Sequence, residues 1–331
     1  MAFGLATSMS TPAIYPSGSS QPSTAYSGTF IPEIWSAKLI EKFYAATVLA
    51  AISNTDYEGE IRNHGDVVHI RTKPTITIRD YLAGGDLAVE RPSAPKVDLN
   101  IDQGKYFNTI LDDVMKVQSD INLMSLWSDD AGQQMKITID TSVLAGILNG
   151  AQATTNRGAT AGAISANINL GVTSSGPLSI VANSPSAGQV DVLDMILRLG
   201  QVLDEQNIPE QGRWIVLPTW AATLIKKSEL RQAYMSGDQV TMIRNGRIGM
   251  VDRFTVYVSN LLPAGVAGGL AAGEYAVYAG ISHGLTFASQ MTNMETLRSE
   301  RTFGTLMRGL QVYGYKVVDA KALSQAIIVQ G

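Results

Sequence analysis

Five residues have the spacing of a nucleophile turn. Gly280-Ile281-Ser282-His283-Gly284 fits G-x-S-x-G and follows a strand pattern, the setting in which an α/β-hydrolase exposes its serine. That chemistry needs a base from a separate histidine later in the chain. His283 is the last histidine and lies inside the motif. The residues after it, Leu285-Thr286-Phe287, favour strand over helix, so the segment reads as a turn between strands. His64 and His69 flank Asp66, which makes a metal site conceivable. Alternation along a strand, however, puts positions 64 and 69 on opposite faces. Asp112-Asp113 and Asp129-Asp130 have the side chains of an acid/base pair, but neighbours on a strand or helix diverge, and capping or a solvated face is the simpler role. Neither a P-loop nor a dinucleotide fingerprint occurs. No catalytic, metal or cofactor residue is assigned, and no cofactor is called for.

Composition narrows the classes further. The chain has 331 residues, 45% of them hydrophobic, ample for one elaborate domain or two. There is no cysteine, which removes disulfides, thiolate metal sites and cysteine nucleophiles and fits a reducing compartment. A net charge of −4 argues against a generally basic nucleic-acid binder, although such a protein can lie near nucleic acid without sticking to it. No run of 18 apolar residues suits a membrane span, and the first residues lack the basic start and apolar core of a signal peptide.

The elements that would position any site are organised around residues 120–149. Met124, Trp127, Ala131, Met135, Ile139, Val143 and Ile147 recur at steps of three or four, the stripe of a single long helix. Ser119-Asp120 supplies an N-cap and Asn149-Gly150 a stop. Thirty residues give a rod of roughly 45 Å, against a radius of gyration of ~20 Å for a compact chain of this length, so other elements should hang from it. The alternative is two shorter helices, broken at Gly132 or at Ile137-Thr138-Ile139.

Before this helix the character shifts twice. Residues 1–29 carry no charge, and seventeen of the 29 are Ser, Thr, Gly or Pro. Such a stretch is a flexible arm unless a neighbour holds it; free disorder and a clasping arm stay open. Pro32–Ala50 has a helical stripe. Residues 57–110 then hold fifteen charges, eight acidic and seven basic. Val68–Arg71, Thr75–Ile78 and Val97–Asp102 alternate as strands around Gly84-Gly85, Pro92 and Pro95. This predicts a long hairpin. An arm of ~15 residues reaches about 50 Å, and an isolated two-stranded hairpin is marginal in water, so docking on another subunit is expected. The alternative is a hairpin lying flat on its own domain.

After the helix, Thr141–Val190 holds one charge, Arg157, and reads as turns and sheet edges. Gln189–Pro263 reads as a compact α/β domain: a helix from Val192 to near Gln206, a buried strand Arg213–Leu217, a helix from Pro218 to Lys227 whose end takes Lys226-Lys227, a turn at Asn245-Gly246 and a strand Arg253–Ser259. Glu274–Ala279, Leu285–Ala288, Met294–Arg298 and Arg308–Val318 read as strands returning beside the long helix.

This order resembles the major capsid protein of tailed bacteriophages, the Hong Kong 97-like fold. The residues carrying the resemblance are Phe30-Ile31-Pro32-Glu33-Ile34-Trp35, Gly65–Ile70, Tyr106–Asp113, Ile208–Pro218 and Gly249–Asn260 with Leu262-Pro263. No one motif is specific; their order and spacing are. The resemblance implies an α+β chain divided into an N-terminal arm (1–29), an N-terminal helix region (30–56), an extended loop (57–110), a peripheral domain with the spine helix (111–185), an axial domain (186–263) and peripheral return strands (264–331). It implies a structural protein that assembles with itself, through hexamers and pentamers, into an icosahedral shell around double-stranded DNA. Its further partners would be a scaffolding protein, a portal and a decoration protein, with no membrane. The candidate inter-subunit contacts are Asp80, Asp86, Glu90 and Arg91 on the loop and Phe30 and Trp35 ahead of it. The type member joins its subunits through a lysine on this loop; here no lysine lies between Lys73 and Lys96, so no covalent cross-link is expected. The short arm before Phe30 leads to the expectation that scaffolding is a separate protein and that no protease trims the chain. A cellular encapsulin-type compartment is the alternative.

Overall fold

A computed structural model describes residues 44–56, 67–74, 76–81, 83–84, 86–118, 123–148, 150–183, 185–228 and 249–331. The chain divides into two units, Met1–Lys42 and Phe43–Gly331, and every element named below belongs to the second. The arm, most of the expected Pro32–Ala50 helix, His64, Asp66, the Ser119-Asp120 cap, Asn149 and the Asn245-Gly246 turn lie outside the described residues.

The described chain opens with a short helix α1 (Leu49–Ile52). Strands β1 (Val67–Arg71) and β2 (Lys96–Asn100) form an antiparallel pair, and β3 (Gln103–Asp112) comes after them. Two helices come next, the exposed α2 (Asp113–Gln118) and the 24-residue α3 (Leu123–Gly146). β4 (Leu178–Val181) and β5 (Gln189–Asp191) lead into α4 (Val192–Glu205), β6 (Arg213–Leu217), α5 (Thr219–Lys227), β7 (Met250–Val251) and β8 (Phe254–Val258). β9 (Glu274–Ile281), β10 (Leu285–Arg298), β11 (Gly304–Val317) and β12 (Leu323–Gln330) complete the chain.

The helix α3 runs unbroken through Gly132 and Ile137–Ile139. Its threonines do not break it because Thr138 and Thr141 donate their hydroxyls to the carbonyls of Gln134 and Ile137, each at 2.8 Å. The expected stripe is buried only in its second half, at Ile139, Val143 and Ile147, joined by Leu144; Met124, Trp127 and Ala131 are half-buried. Asp140 is also buried there, and its Oδ2 accepts from the backbone N–H of Val48 at 2.8 Å, which fixes α1 against α3.

Two sheets hold the body together. The larger has the order β5-β4-β12-β9-β6-β8-β7. Alternation along its strands separates two cores. Ile215, Leu217, Val277, Ala279 and Ile328 face α4 and α5. Trp214, Val216, Ala276, Tyr278 and Ile327 face the buried end of α3 and α1. A strand buried on both faces reads as a continuous apolar run, as Trp214–Leu217 does. β9 lies beside the long helix, with the Tyr278 hydroxyl donating to the Leu144 carbonyl at 2.9 Å, and together with β12, a strand the sequence reading did not name, it forms the centre of the seven-stranded sheet. Local alternation fixes that a segment is a strand, while long-range pairing fixes which sheet it joins.

The second sheet is antiparallel, with the order β10-β11-β3. Its register runs from Leu285↔Val317 to Arg298↔Thr305 on one side of β11, with a one-residue shift between Ser289 and Met291, and from Gly304↔Asp112 to Tyr313↔Gln103 on the other. The low-charge stretch between α3 and β4 is irregular and is held by side chains. Asn156 is buried and donates to the carbonyls of Lys321 (2.7 Å) and Leu323 (2.9 Å). Glu205 accepts from the N–H groups of Ile164 (2.8 Å) and Ser165 (3.1 Å).

Candidate assembly surfaces

The glycines of the G-x-S-x-G match have a packing reason. A Cβ on Gly280 would collide with the Ala322 carbonyl oxygen, and one on Gly284 would lie 2.9 Å from the Ala322 side chain. Both glycines let β12 and the turn before it approach closely. Ser282 and His283 sit on a 3-10 turn between β9 and β10, with a strand rather than a helix after it. This is a connection between strands and lacks the geometry of a nucleophile elbow. His69 pairs instead across β1–β2 with Asp98 (2.6 Å), and Lys96 adds a contact to the same carboxylate at 3.4 Å. The hydrogen bond from His69, ahead of any other influence, holds the Asp98 carboxyl below the usual range. Of the paired acids, Asp113 meets Arg298 at 2.7 Å and Asp130 accepts from the Tyr44 hydroxyl at 2.8 Å. Among the described residues no cluster of three or more His, Asp or Glu is placed to hold a metal, and no helix is long and apolar enough to cross a membrane.

The larger features are exposed surfaces. β1 and β2 pair from Val67↔Asn100 to Arg71↔Lys96. The expected strand at Thr75–Ile78 does not form among the described residues there. Prolines at 74, 92 and 95 cannot donate to a ladder, which explains its interruption. Two contacts still cross between the arms: Thr72 N–H donates to the Pro95 carbonyl at 3.2 Å, and Thr77 donates its N–H and hydroxyl to the Glu90 side-chain carboxylate at 3.3 Å. Strand pairing among the described residues ends at Arg71↔Lys96.

Extending the Arg71↔Lys96 register outward would sort the ribbon into two faces, because side chains in a strand alternate and directly opposed residues share a side. One face would carry Ile76, Ile78, Asp80, Leu87, Val89 and Arg91. The other would carry Thr77, Arg79, Tyr81, Asp86, Ala88 and Glu90. Of the expected contact residues, Asp80 and Arg91 would thus share the apolar face, whereas Asp86 and Glu90 would lie on the polar one, where Glu90 already holds Thr77. All four are exposed. Phe30 and Trp35 lie outside the described residues. The apolar side chains, which a charge-based reading passes over, are the larger exposed feature: Ile78 and Val89 are each 90% exposed and Leu87 76%. Their alternation with charge is the signal that could have found them.

Similar structures place this architecture in a class. A chain from Mycobacterium phage Che8 is 26% identical, with a TM-score of 0.71 over 91% of this chain and 98% of that one. The capsid structure of the cyanophage P-SCSP1u gives 15% identity and a TM-score of 0.67, covering 91% and 94% of the two chains. The capsid of a native GTA particle gives 12% and 0.65, covering 94% and 100%. The fold is the Hong Kong 97-like fold of tailed-phage capsids. No curated protein matches the chain. The model of a family described as phage capsid protein matches residues 96–326, and the chain belongs to that family. It is a major capsid protein that associates with its own copies to form the shell, a structural role in the virion; the encapsulin alternative is not favoured.

Proposed function

We propose that copies of this chain assemble through hexamers and pentamers into an icosahedral shell that encloses the double-stranded DNA of a tailed phage. The observation carrying this reading is the ribbon beyond Arg71 and Lys96, whose apolar face is exposed among the described residues in a member of a capsid family. Burying such side chains favours association by ~1.5–3 kcal/mol each, and closed symmetry multiplies the effect over every subunit. Assembly takes place in the host cytoplasm, with a separate scaffolding protein, a portal and, where present, a decoration protein. The chain works without enzymatic activity, and DNA is enclosed without sequence readout, in line with a net charge of −4.

The functional division follows the sheets. The peripheral part comprises α3 and β3, β10 and β11. The axial part comprises 186–263 together with the strands β4, β9 and β12 that complete its sheet. The test is electron microscopy of particles purified from a lysate. Closed icosahedral shells containing nuclease-protected double-stranded DNA are expected. Open tubes, a stable monomer, or shells filled with a protein cargo would overturn the proposal.

A further inference from the structure

The loop between Ala161 and Ile168 is built to hold one apolar side chain out in solvent. These two residues close it, their N–H groups donating to each other's carbonyls at 2.8 and 3.0 Å. Glu205, in the last turn of α4, reaches into the loop and accepts from the N–H groups of Ile164 (2.8 Å) and Ser165 (3.1 Å). Gln201, one turn earlier, donates to the same carboxylate at 3.2 Å. Two residues take positive φ, Gly162 at 104° and Ala166 at 49°, and a Cβ on Gly162 would collide with the Ser165 side chain. For alanine the left-handed conformation costs roughly 1–2 kcal/mol, and such strain persists only where the surroundings hold it. What the held loop displays is Ile164, 80% exposed. Within the described chain neither the strain nor the exposure is offset by packing.

Arg157 lies in the turn just before this loop. The Gly162 N–H donates to the Thr155 carbonyl at 2.7 Å, so the turn and the loop share Gly162. The backbone at Arg157 is fixed by its neighbour: Asn156 is fully buried, bonded to the Lys321 and Leu323 carbonyls and to Gln206. Arg157 is the one charged residue in 141–190. It is half-buried and makes no hydrogen bond or ion pair with a described residue. A guanidinium partly withdrawn from water favours a carboxylate, which it can hold with two parallel bonds. The stripe of α4 that carries Gln201 and Glu205 also carries Leu197, 54% exposed.

From this we infer that the loop 161–168, with Arg157 and Leu197, is a contact between copies of the chain. Ile164 is its apolar anchor, Arg157 pairs with an exposed carboxylate of the second copy, and Glu205 is the positioning residue that keeps the anchor in place. The inference rests on the self-assembly reading above and adds a surface apart from the ribbon. A second copy is the occupant for two reasons. The chain associates with its own copies. Charge matches as well: the chain holds 29 acidic residues against 25 Lys and Arg. Exposed Asp112, Asp129 and Glu300 have no cationic partner among the described residues, as Arg157 has no anionic one. A loop already held in shape loses little freedom on binding, so the gain from burying Ile164 is kept.

Ile164→Asp is expected to keep the melting temperature of the free subunit, since the side chain is exposed, and to lower the yield of shells in a lysate by about tenfold or more. Ile164→Val keeps the yield. Arg157→Gln lowers it less, and an unchanged yield from that variant would overturn the pairing. Normal yield from Ile164→Asp would overturn the inference and leave the shell reading standing, whereas wild-type protein that forms no shells would overturn the shell reading itself. Glu205→Ala is expected to lose yield and Glu205→Gln to regain it, because an amide oxygen still accepts from both N–H groups. Equal yields from these two would overturn the positioning role. A gentler variant covers a failure of Ile164→Asp to fold. The chain has no cysteine, so Ile164→Cys carries its only thiol. A maleimide is expected to label that thiol in free subunits and not in shells. Equal labelling in both would overturn the inference, as would a thiol that becomes reactive when accessory proteins are stripped from intact shells.

Discussion

Two buried carboxylates answer to pH in opposite directions. Burial pushes the Glu274 carboxyl up, but the Thr173 hydroxyl (2.6 Å) and the N–H groups of Ser174 (2.9 Å) and Ala271 (3.0 Å) outweigh it, leaving its pKa below the ordinary value. A depressed folded-state pKa gives stability that is present above the unfolded value and lost as pH falls through the folded one. Glu274→Ala should therefore cost about 2–4 kcal/mol at pH 7 in denaturant titrations. Glu274→Gln should flatten the loss of stability expected of the wild type below roughly pH 4. Asp140 behaves the other way. Burial raises its carboxyl despite the bonds from the Val48 and Leu49 backbone, and its Oδ1 has no hydrogen-bond partner among the described residues. The ionised form is disfavoured in the fold, so this group's contribution is fully present below the unfolded pKa and fades as pH rises through the folded one. Asp140→Asn keeps an acceptor for Val48 without a buried charge. Its melting temperature at neutral pH is expected to equal or exceed that of the wild type, and a fall of several degrees would show that the charge itself is needed.

At the scale of elements, glycine marks where strands and loops come close. Gly280→Ala should destabilise by about 1–3 kcal/mol, since its Cβ would strike the Ala322 backbone, while Ser282→Ala on the turn between β9 and β10 should stay within about ±0.5 kcal/mol. Equal effects in thermal melts would contradict the packing account of this motif. The long helix is legible from its stripe because a 3.6-residue period is local. Its uneven burial is not, since the sequence does not say which turns of a helix meet a sheet. Arg213 shows the same limit. Its guanidinium is wholly buried, bonded to the carbonyls of Pro209 (2.9 Å) and Ile208 (2.6 Å) and to Asp204 at 2.7 Å. In the sequence it is merely the polar first residue of an apolar strand.

For the whole molecule, the proposed shell would be held by non-covalent contacts. Exposed charge pairs contribute only ~0–1 kcal/mol each, so apolar faces are proposed to carry the association. Mature shells boiled in detergent should run as intact monomer, because no lysine lies between Lys73 and Lys96 on the loop. A ladder of covalent multimers would refute this. Strands of both sheets share one core with α3, through Tyr278 and Ile327 on one side and Leu285 and Tyr313 on the other.

By itself, the sequence located most of the strand and helix segments, though not β12, and it read a strand at Thr75–Ile78 that does not form among the described residues. Those are properties of period, proline and glycine placement, and charge density, all readable over a few residues. Tertiary structure alone decided that β9 and β12 join the seven-stranded sheet and that Asp140 and Arg213 are buried. Each depends on which distant backbone a segment pairs with, and a strand pattern is compatible with more than one partner.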